Sequence, residues 1–230
     1  MPQLNPEELE NLRQISSCSI ANAIQNLNVI PRNEGYMSPD IKSIFPDMAP
    51  MIGYAVTAVI TADMPPSKDM NVSRLRLIEE IIQTPEPRIV VIKDLDYPNV
   101  VGSFWGEVQA NIHGSVGCVG TITDGGVRDL DEMRELGFNA FASDVLVSRG
   151  YVHLVDVGVP VTVGGLKVNP GDLLLGDQHG VVSIPVDVAR DISGALRSVE
   201  DQEREMIELC QSPDFTVEKL KDQIRKMYGG

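Results

Sequence analysis

The apolar positions change period several times along the chain, and each change predicts an element. Asn5-Pro6-Glu7-Glu8 opens a helix, with an asparagine able to cap, proline at the first helical position and acids in the first turn. A second short helix is expected over residues 19–24. Residues 31–50 are rich in Pro, Asp and Ser and read as loop. Residues 51–61 are apolar and β-branched, as a strand covered on both faces must be. Met70, Leu75, Leu77, Ile78, Ile81 and Ile82 then recur at helical spacing until Pro85 and Pro87 stop the helix. Residues 88–93, 118–123 and 139–143 give three further strands. Between them Ser103 is expected to cap a helix whose inner face carries Val108 and Ile112. Asp129-Leu130-Asp131-Glu132-Met133 opens another helix, ending at Gly137. Strand and helix alternating in this way mark a largely parallel sheet.

The pattern then changes. Residues 159–163 and 166–168 flank Gly164-Gly165 and predict a β-hairpin. Asn169-Pro170-Gly171-Asp172 is a turn, and short strands at 173–175 and 181–184 surround Gly176-Asp177-Gln178-His179-Gly180. Residues 186–208 are helical and heavily charged, and an amphipathic helix spans 217–227. The simplest account is one α/β domain over 1–230, with a core at about 15–185, an added antiparallel portion, and a helical extension over 186–230.

Aromatic residues make up 5% of the chain, so Val, Ile, Leu and Ala must fill the core. With 33 acidic against 19 basic residues the formal net charge is -14. That balance argues against nucleic acid and against an anionic membrane surface as partners. The three cysteines lie far apart and read as reduced thiols. The polar, acidic amino-terminal segment does not read as a signal peptide, and no apolar run approaches membrane-spanning length. A soluble cytoplasmic protein is expected.

The candidate chemistry lies between Trp105 and Asp129. Glu107 falls at one expected helix start, and Arg128-Asp129, after Thr123-Asp124-Gly125-Gly126-Val127, at the next. The glycines permit positive φ and close approach of a ligand. Arg128 offers a planar fork for a carboxylate or an enolate oxygen. Asp129 offers the hard oxygen that magnesium and manganese prefer. Glu107 could hold metal-bound water, and amides around Glu107, Val108 and Gln109 could bind a carboxylate. If the two helices follow adjacent strands, both starts face one crevice at the strand carboxyl ends. Spacing alone equally allows Asp129 as a plain helix cap, Arg128 as a surface ion-pair residue and Glu107 as a helix-dipole acid.

Trp105 suits the core better than a pocket. His113 is expected to end a helix as a cation, His179 and Asp177 to shape their turn, and His153 to lie near the crevice rim. No Gly-x-Gly-x-x-Gly follows the early strands, and no Ser or Cys nucleophile motif is present.

Trp105-Gly106-Glu107, twenty residues, then Arg128-Asp129 resembles the acid-x20-Arg-Asp motif of RraA-like proteins. More narrowly it is similar to the divalent-metal-dependent aldolases for 4-hydroxy-4-methyl-2-oxoglutarate and 4-carboxy-4-hydroxy-2-oxoadipate. The likeness continues through Gly137-Phe138, Gly158-Val159-Pro160-Val161, Val163-Gly164-Gly165, Pro170-Gly171-Asp172 and Gly176 to Pro185, covering about residues 50–210. It implies a swivelling β/β/α-type domain with mixed sheets and flanking helices, assembled as homotrimers or homohexamers with sites at subunit interfaces. It implies that Asp129 is the direct ligand of a divalent cation, magnesium or alternatively manganese. Arg128 would bind the pyruvyl unit and stabilise its enolate. Gly106, Glu107, Val108 and Gln109 would hold the substrate carboxylate through backbone amides. Glu107 stands at an acidic position that is often Asp in the family. A glutamate from a neighbouring subunit's carboxy-terminal helix would complete the site, with Glu203 favoured over Glu200, Glu205 and Glu208. The implied activity is a lyase cleaving small 4-hydroxy-2-oxo acids to pyruvate, with oxaloacetate decarboxylation as a second reaction. The alternatives are a non-catalytic regulator of a ribonuclease, as RraA itself is, and an enzyme acting on another 2-oxo acid through the same enolate chemistry.

Overall fold

The computed structural model describes residues 3–68 and 71–228. Met70 therefore lies outside the described residues, as does the side chain of Glu200. Helix α1 (Pro6–Arg13) begins with the expected box: Asn5 accepts from the Glu8 N–H, and Glu8 accepts from the Asn5 N–H. Helix α2 (Ser17–Leu27) is longer than expected, because Ser16 caps it ahead of the apolar run. After the loop and a two-residue strand β1 (Lys42–Ser43), the chain enters β2 (Met51–Thr61), α3 (Arg74–Gln83), β3 (Arg88–Asp94), α4 (Glu107–Gly114) and β4 (Cys118–Thr123). A short β5 (Gly126–Val127), α5 (Leu130–Glu135), β6 (Asn139–Ala142) and β7 (Asp144–Val145) complete the alternating half.

Strands β2, β3, β4 and β6 are parallel and adjacent in that order. Each crossover steps in the same direction, so right-handed connections place α3, α4 and α5 on one face. Side-chain period makes this concrete in β3. Val90 and Ile92 pack with Leu77, Ile81, Ala110 and Met133 under the helices. Ile89 and Val91 face the other way, toward Val161, Val163 and Val168. Those residues come from a hairpin of β9 (Val161–Val163) and β10 (Leu166–Val168), which follows β8 (His153–Val157) and forms the second β layer. Strand β11 (Leu173–Asp177) extends the main sheet antiparallel to β2, and β12 (Gly180–Ile184) pairs antiparallel to β11 beyond it. The result is the mixed β/β/α arrangement.

Strand β2 is shared along one edge. Its first half pairs with β11 through Met51–Tyr54, and its second half pairs with β8 through Ala58–Thr61, with an irregularity at Val59/Ile60. Beyond β12, helix α6 (Ile192–Gln211) buries Ile192 and Leu196 against Leu4, Leu9, Leu12, Ile20 and Ile24. Helix α7 (Val217–Tyr228) returns along α6 and has no buried residue.

Three local expectations are corrected. Ser103 does not cap α4. The cap is Gly106, and the Ser103 hydroxyl hydrogen is shared between the carbonyls of Trp105 (2.6 Å) and Gly126 (2.7 Å). Val108 and Ile112 are not the inner face. Starting α4 at Glu107 turns Gln109, Ala110 and His113 inward and leaves Val108 and Ile112 exposed. His113 is not a solvated cation at the helix end. Its Nδ1–H donates to the Gln109 carbonyl, and burial, assisted by the charge of Arg74, pushes its pKa down to about 4.

Candidate active site

The segments around Glu107 and Asp129 meet because backbone ties hold them side by side. Trp105 and Val127 form a parallel bridge, and the Arg128 N–H donates to the Trp105 carbonyl at 3.2 Å. Ser103 clasps Gly126 from the same side. Trp105 anchors this seam: its ring is buried against Phe104, His113 and Phe138, the core role expected of it. Since α4 follows β3 and α5 follows β4, both helix starts open at the carboxyl ends of neighbouring strands.

Asp129 occupies the cap position of α5 but is not a plain cap. Its backbone is left-handed (φ 54°, ψ 51°), and its side chain makes no bond to its own helix. Instead Oδ2 accepts from the Glu107 N–H at 3.0 Å and lies 3.6 Å from Arg128 Nε. A left-handed non-glycine residue costs roughly 1–3 kcal/mol and persists where its surroundings over-determine it. The strain here aims a carboxylate across the seam. Gly106 is required by that approach, because a Cβ there would overlap Asp129 Oδ2. Gly125 and Gly126 do not supply the expected positive φ. They make room, since a Cβ would fall 2.6 Å from Asp94 Oδ2 at Gly125 and 2.5 Å from Leu146 Cγ at Gly126.

A cavity of about 170 Å³ opens beside the seam, lined by Ser103, Gly106, Val108, Gln109, Arg128 and Asp129. Small-molecule pockets commonly reach about 300–1,000 Å³, so this one suits a small acid. The amides of Val108 and Gln109, in the first turn of α4, have no acceptor among the described residues. The Glu107 carboxylate is exposed and is not part of the lining; its contribution to the seam is its backbone N–H. Arg74 and Arg149 also line the cavity, and sequence reasoning missed both. Arg149 follows Ser148, whose carbonyl accepts from the Ser103 N–H, and the Arg74 guanidinium sits 5.4 Å from the Phe104 ring centroid. Nothing in their spacing along the chain singles them out from its other arginines.

The donor set fits one kind of metal. Asp129 Oδ1 has no donor among the described residues, and no group of three His, Cys, Asp or Glu side chains converges there. A single hard oxygen suits a cation that fills the rest of its shell with water and substrate oxygens, as magnesium does, and not a closed protein cage.

Other predicted residues fall elsewhere. Asp177 and His179 shape their turn: Asp177 accepts from the His179 N–H and from the backbone and hydroxyl of Ser17, tying the β11–β12 turn to α2. His153 is buried on β8 beside Val152, which does line the cavity, and bonds Tyr151 O. Glu203 and Glu208 are exposed on α6, and Glu205 is paired with Lys226. A larger cavity, about 910 Å³, lies at the opposite, amino-terminal strand ends between α1 and the starts of β2 and β4. Its lining is largely apolar, with Leu4, Leu9, Met51 and Pro87, and its charged members are already paired, Arg13 with Glu10 at 2.8 Å and Glu86 with Arg88 at 2.9 Å.

Fold and site together define an α/β protein that presents a carboxylate and a guanidinium at the strand carboxyl ends. The sequence model of the RraA-like family (Aldolase/RraA) matches residues 17–183, and the chain belongs to that family. A protein of Ectopseudomonas mendocina named "Putative 4-hydroxy-4-methyl-2-oxoglutarate aldolase" is 30% identical over 114 residues, 47% of this chain and 67% of that protein. The uncharacterized protein MJ0644 of Methanocaldococcus jannaschii is 31% identical over 106 residues, 45% of this chain and 50% of its own length. The alignments span 17% to 67% of the length of the curated relatives. Among solved structures, RraAS2 of Streptomyces coelicolor, described as an unusual member of the RNase ES inhibitor RraA family, has a TM-score of 0.69 and 23% identity. That alignment covers 89% of this chain and 97% of RraAS2. An uncharacterized protein of Pseudomonas syringae has a TM-score of 0.73 and 23% identity, covering 96% and 95%. At these identities the structural likeness shows the fold. Among the described residues no helix is long and apolar enough to cross a membrane.

Proposed function

We propose that the chain is a divalent-metal-dependent lyase that cleaves small 4-hydroxy-2-oxo acids to pyruvate and decarboxylates oxaloacetate through the same enolate. The observation that carries this reading is Asp129, strained across the seam with one carboxylate oxygen held and the other free. Asp129 would hold the cation, magnesium or alternatively manganese, with the Glu107 carboxylate at the rim as the acid that retains water around it. Bound there, the ion supplies Lewis acidity to the substrate's 2-oxo group.

The remaining roles belong to the chain. The free amides of Val108 and Gln109, with Gly106 allowing close approach, receive the C1 carboxylate. Arg128 directs its fork at the 2-oxo oxygen. As a base takes the 4-hydroxyl proton, C4 leaves as the carbonyl carbon of the second product and the C3–C4 electron pair moves into the pyruvate enolate, so negative charge grows on that oxygen and the guanidinium stabilises it. The enolate is then protonated at C3 to give pyruvate. Oxaloacetate reaches the same enolate by losing carbon dioxide. The reading extends to homotrimers or homohexamers, supported by exposed Ile207, Val217, Ile224 and Tyr228 on α6 and α7.

Pyruvate release from oxaloacetate and from 4-hydroxy-2-oxoglutarate, measured with magnesium and with EDTA, tests the reading. Release that stops with EDTA is expected. No release from either acid, together with metal-independent capture of a ribonuclease, would assign the chain to the regulators instead.

A further inference from the structure

One buried polar side chain is left without a partner, and it faces the reaction cavity. Gln109 is 9% exposed, lines the cavity and makes no side-chain hydrogen bond among the described residues. Every buried Ser, Thr, Asn, Asp, Arg and His among those residues makes at least one. A buried carboxamide with no partner costs stability, and folds rarely keep one that has no task. The orphaned atoms of Asp94, Trp105 and His113 are sealed in the interior, whereas the Gln109 carboxamide is open to the cavity.

Its place on α4 aims it. Gln109 is the third residue of that helix, and its own N–H belongs to the turn that receives the C1 carboxylate. Side chains lean toward the amino end of their helix, so the carboxamide projects back to where Gly106, Arg128 and Asp129 share the cavity. The carboxamide carbon lies as many bonds from Gln109 Cα as C4 lies from C1 in a 2-oxo acid. A substrate held on the Gln109 N–H therefore brings its C4 within the span of the same residue's side chain.

Charge decides which oxygen it would meet. The arginines of the lining are charged donors and suit charged oxygens. Ser103 commits its hydroxyl hydrogen to the carbonyls of Trp105 and Gly126. Gln109 is then the neutral side-chain donor left in the lining. In a 4-hydroxy-2-oxo acid, the neutral oxygen not already claimed by the cation and Arg128 is the 4-hydroxyl. We infer that the Gln109 carboxamide is a specificity-determining group that reads the 4-hydroxyl, with the Nε2–H donating to the hydroxyl oxygen. This inference rests on the lyase reading for its substrate and not for its geometry. With Nε2 as donor, the hydroxyl proton stays free for the base. As that proton leaves, charge grows on the oxygen and its bond to Nε2 strengthens, until C4 departs as a carbonyl. Oxaloacetate has no 4-hydroxyl, so Gln109 favours aldol cleavage over decarboxylation.

The test pairs 2,4-dihydroxyglutarate with 2-hydroxyglutarate, which differ by the 4-hydroxyl alone and lack the 2-oxo group needed for cleavage. Calorimetric titration of the full chain with magnesium present should show the dihydroxy acid binding about fivefold more tightly. Gln109→Met matches the side chain in length, and Gln109→Glu keeps acceptor oxygens while discarding the donor. Both should bring the two ligands near parity with an unchanged melting temperature. Each should also lower cleavage of 4-hydroxy-2-oxoglutarate relative to decarboxylation of oxaloacetate by about tenfold. A wild type indifferent to the hydroxyl, or variants that keep the preference or slow both reactions alike, would overturn the role of Gln109. A hydroxyl preference lost in both variants, with no pyruvate release by the wild type, upholds Gln109 and defeats the lyase reading. Release without that preference upholds the lyase and overturns Gln109.

Discussion

Two aspartate groups sit at the carboxyl ends of adjacent strands, and they differ in what is left unsatisfied. Asp94 ends β3 and Asp124 follows β4; both are buried. Asp124 accepts from Lys93 Nζ at 2.5 Å and from the Asp94 N–H at 2.8 Å, so the pair of strands is stapled shut. Five residues on, Asp129 is about one-third exposed, holds its neighbour with one oxygen and presents the other to a cavity. The same side chain, five residues on, is structural where its charge is enclosed and chemically available where it is not. A buried ion pair of the first kind does little net work for stability but is costly to halve.

The sealed group has a weakness of its own. Asp94 Oδ1 accepts from the Asp96 N–H, but the buried Oδ2 has no partner. Burial, reinforced by the charges of Asp96 and Asp124 and opposed by Asp96's N–H and by Lys93, pushes its pKa from 3.8 to about 6. A folded-state pKa above the unfolded value means the folded chain binds the proton more tightly. The associated stability is full below about pH 4 and is lost as pH rises through about 6. Asp124 is likewise raised, chiefly by burial, with Lys93 opposing.

Substitutions in the two groups should separate stability from activity. Asp124→Ala leaves the Lys93 ammonium and the Asp94 N–H unpaired, and should cost about 2–4 kcal/mol in urea unfolding. A loss under 1 kcal/mol would mean the staple is not closed as described. Arg128→Lys keeps the charge and discards the planar fork. It should lower turnover about 10- to 100-fold, roughly 1.4–2.7 kcal/mol of transition-state stabilisation, with an unchanged melting temperature. Equal losses of activity and stability would place Arg128 with the structural group. Gly106→Ala pushes the Asp129 carboxylate away without backbone strain, since φ is -179°. Roughly tenfold lower kcat with an intact fold is expected, about 1.4 kcal/mol. Asp94→Asn should flatten the stability profile between pH 4 and 6 and raise stability at pH 8 by about 1 kcal/mol. A variant that is less stable at pH 8 would show the ionised Asp94 to be better satisfied than its geometry indicates.

The sequence made the main sheet legible because its strands are covered on both faces. In β3 the run Ile89-Val90-Val91-Ile92 has no polar side, which only a sandwiched strand tolerates. The crevice followed from the same pattern, since adjacent parallel strands must deliver their helices to one edge. Strand β8 was not legible, because its pairing depends on where β11 stops along β2 and frees the second half of that edge. The face of α4 was misread for want of one fact: the helix begins after Gly106, and a start three residues earlier would bury a different face. Local spacing could not decide whether Asp129 was a cap, because its left-handed backbone is imposed by Glu107 from another helix. Arg74 and Arg149 reach the cavity from separate loops and helices, and no spacing rule connects them to Arg128.

The most direct test of the central claim is Asp129→Asn, a substitution that tolerates the left-handed backbone and removes the charge. Manganese affinity by calorimetry and pyruvate release from 4-hydroxy-2-oxoglutarate would be measured on both proteins. An unchanged melting temperature, metal binding weakened beyond detection and turnover reduced at least about 1,000-fold are expected. A variant that keeps wild-type turnover, or binds manganese as tightly as the parent, would contradict that claim.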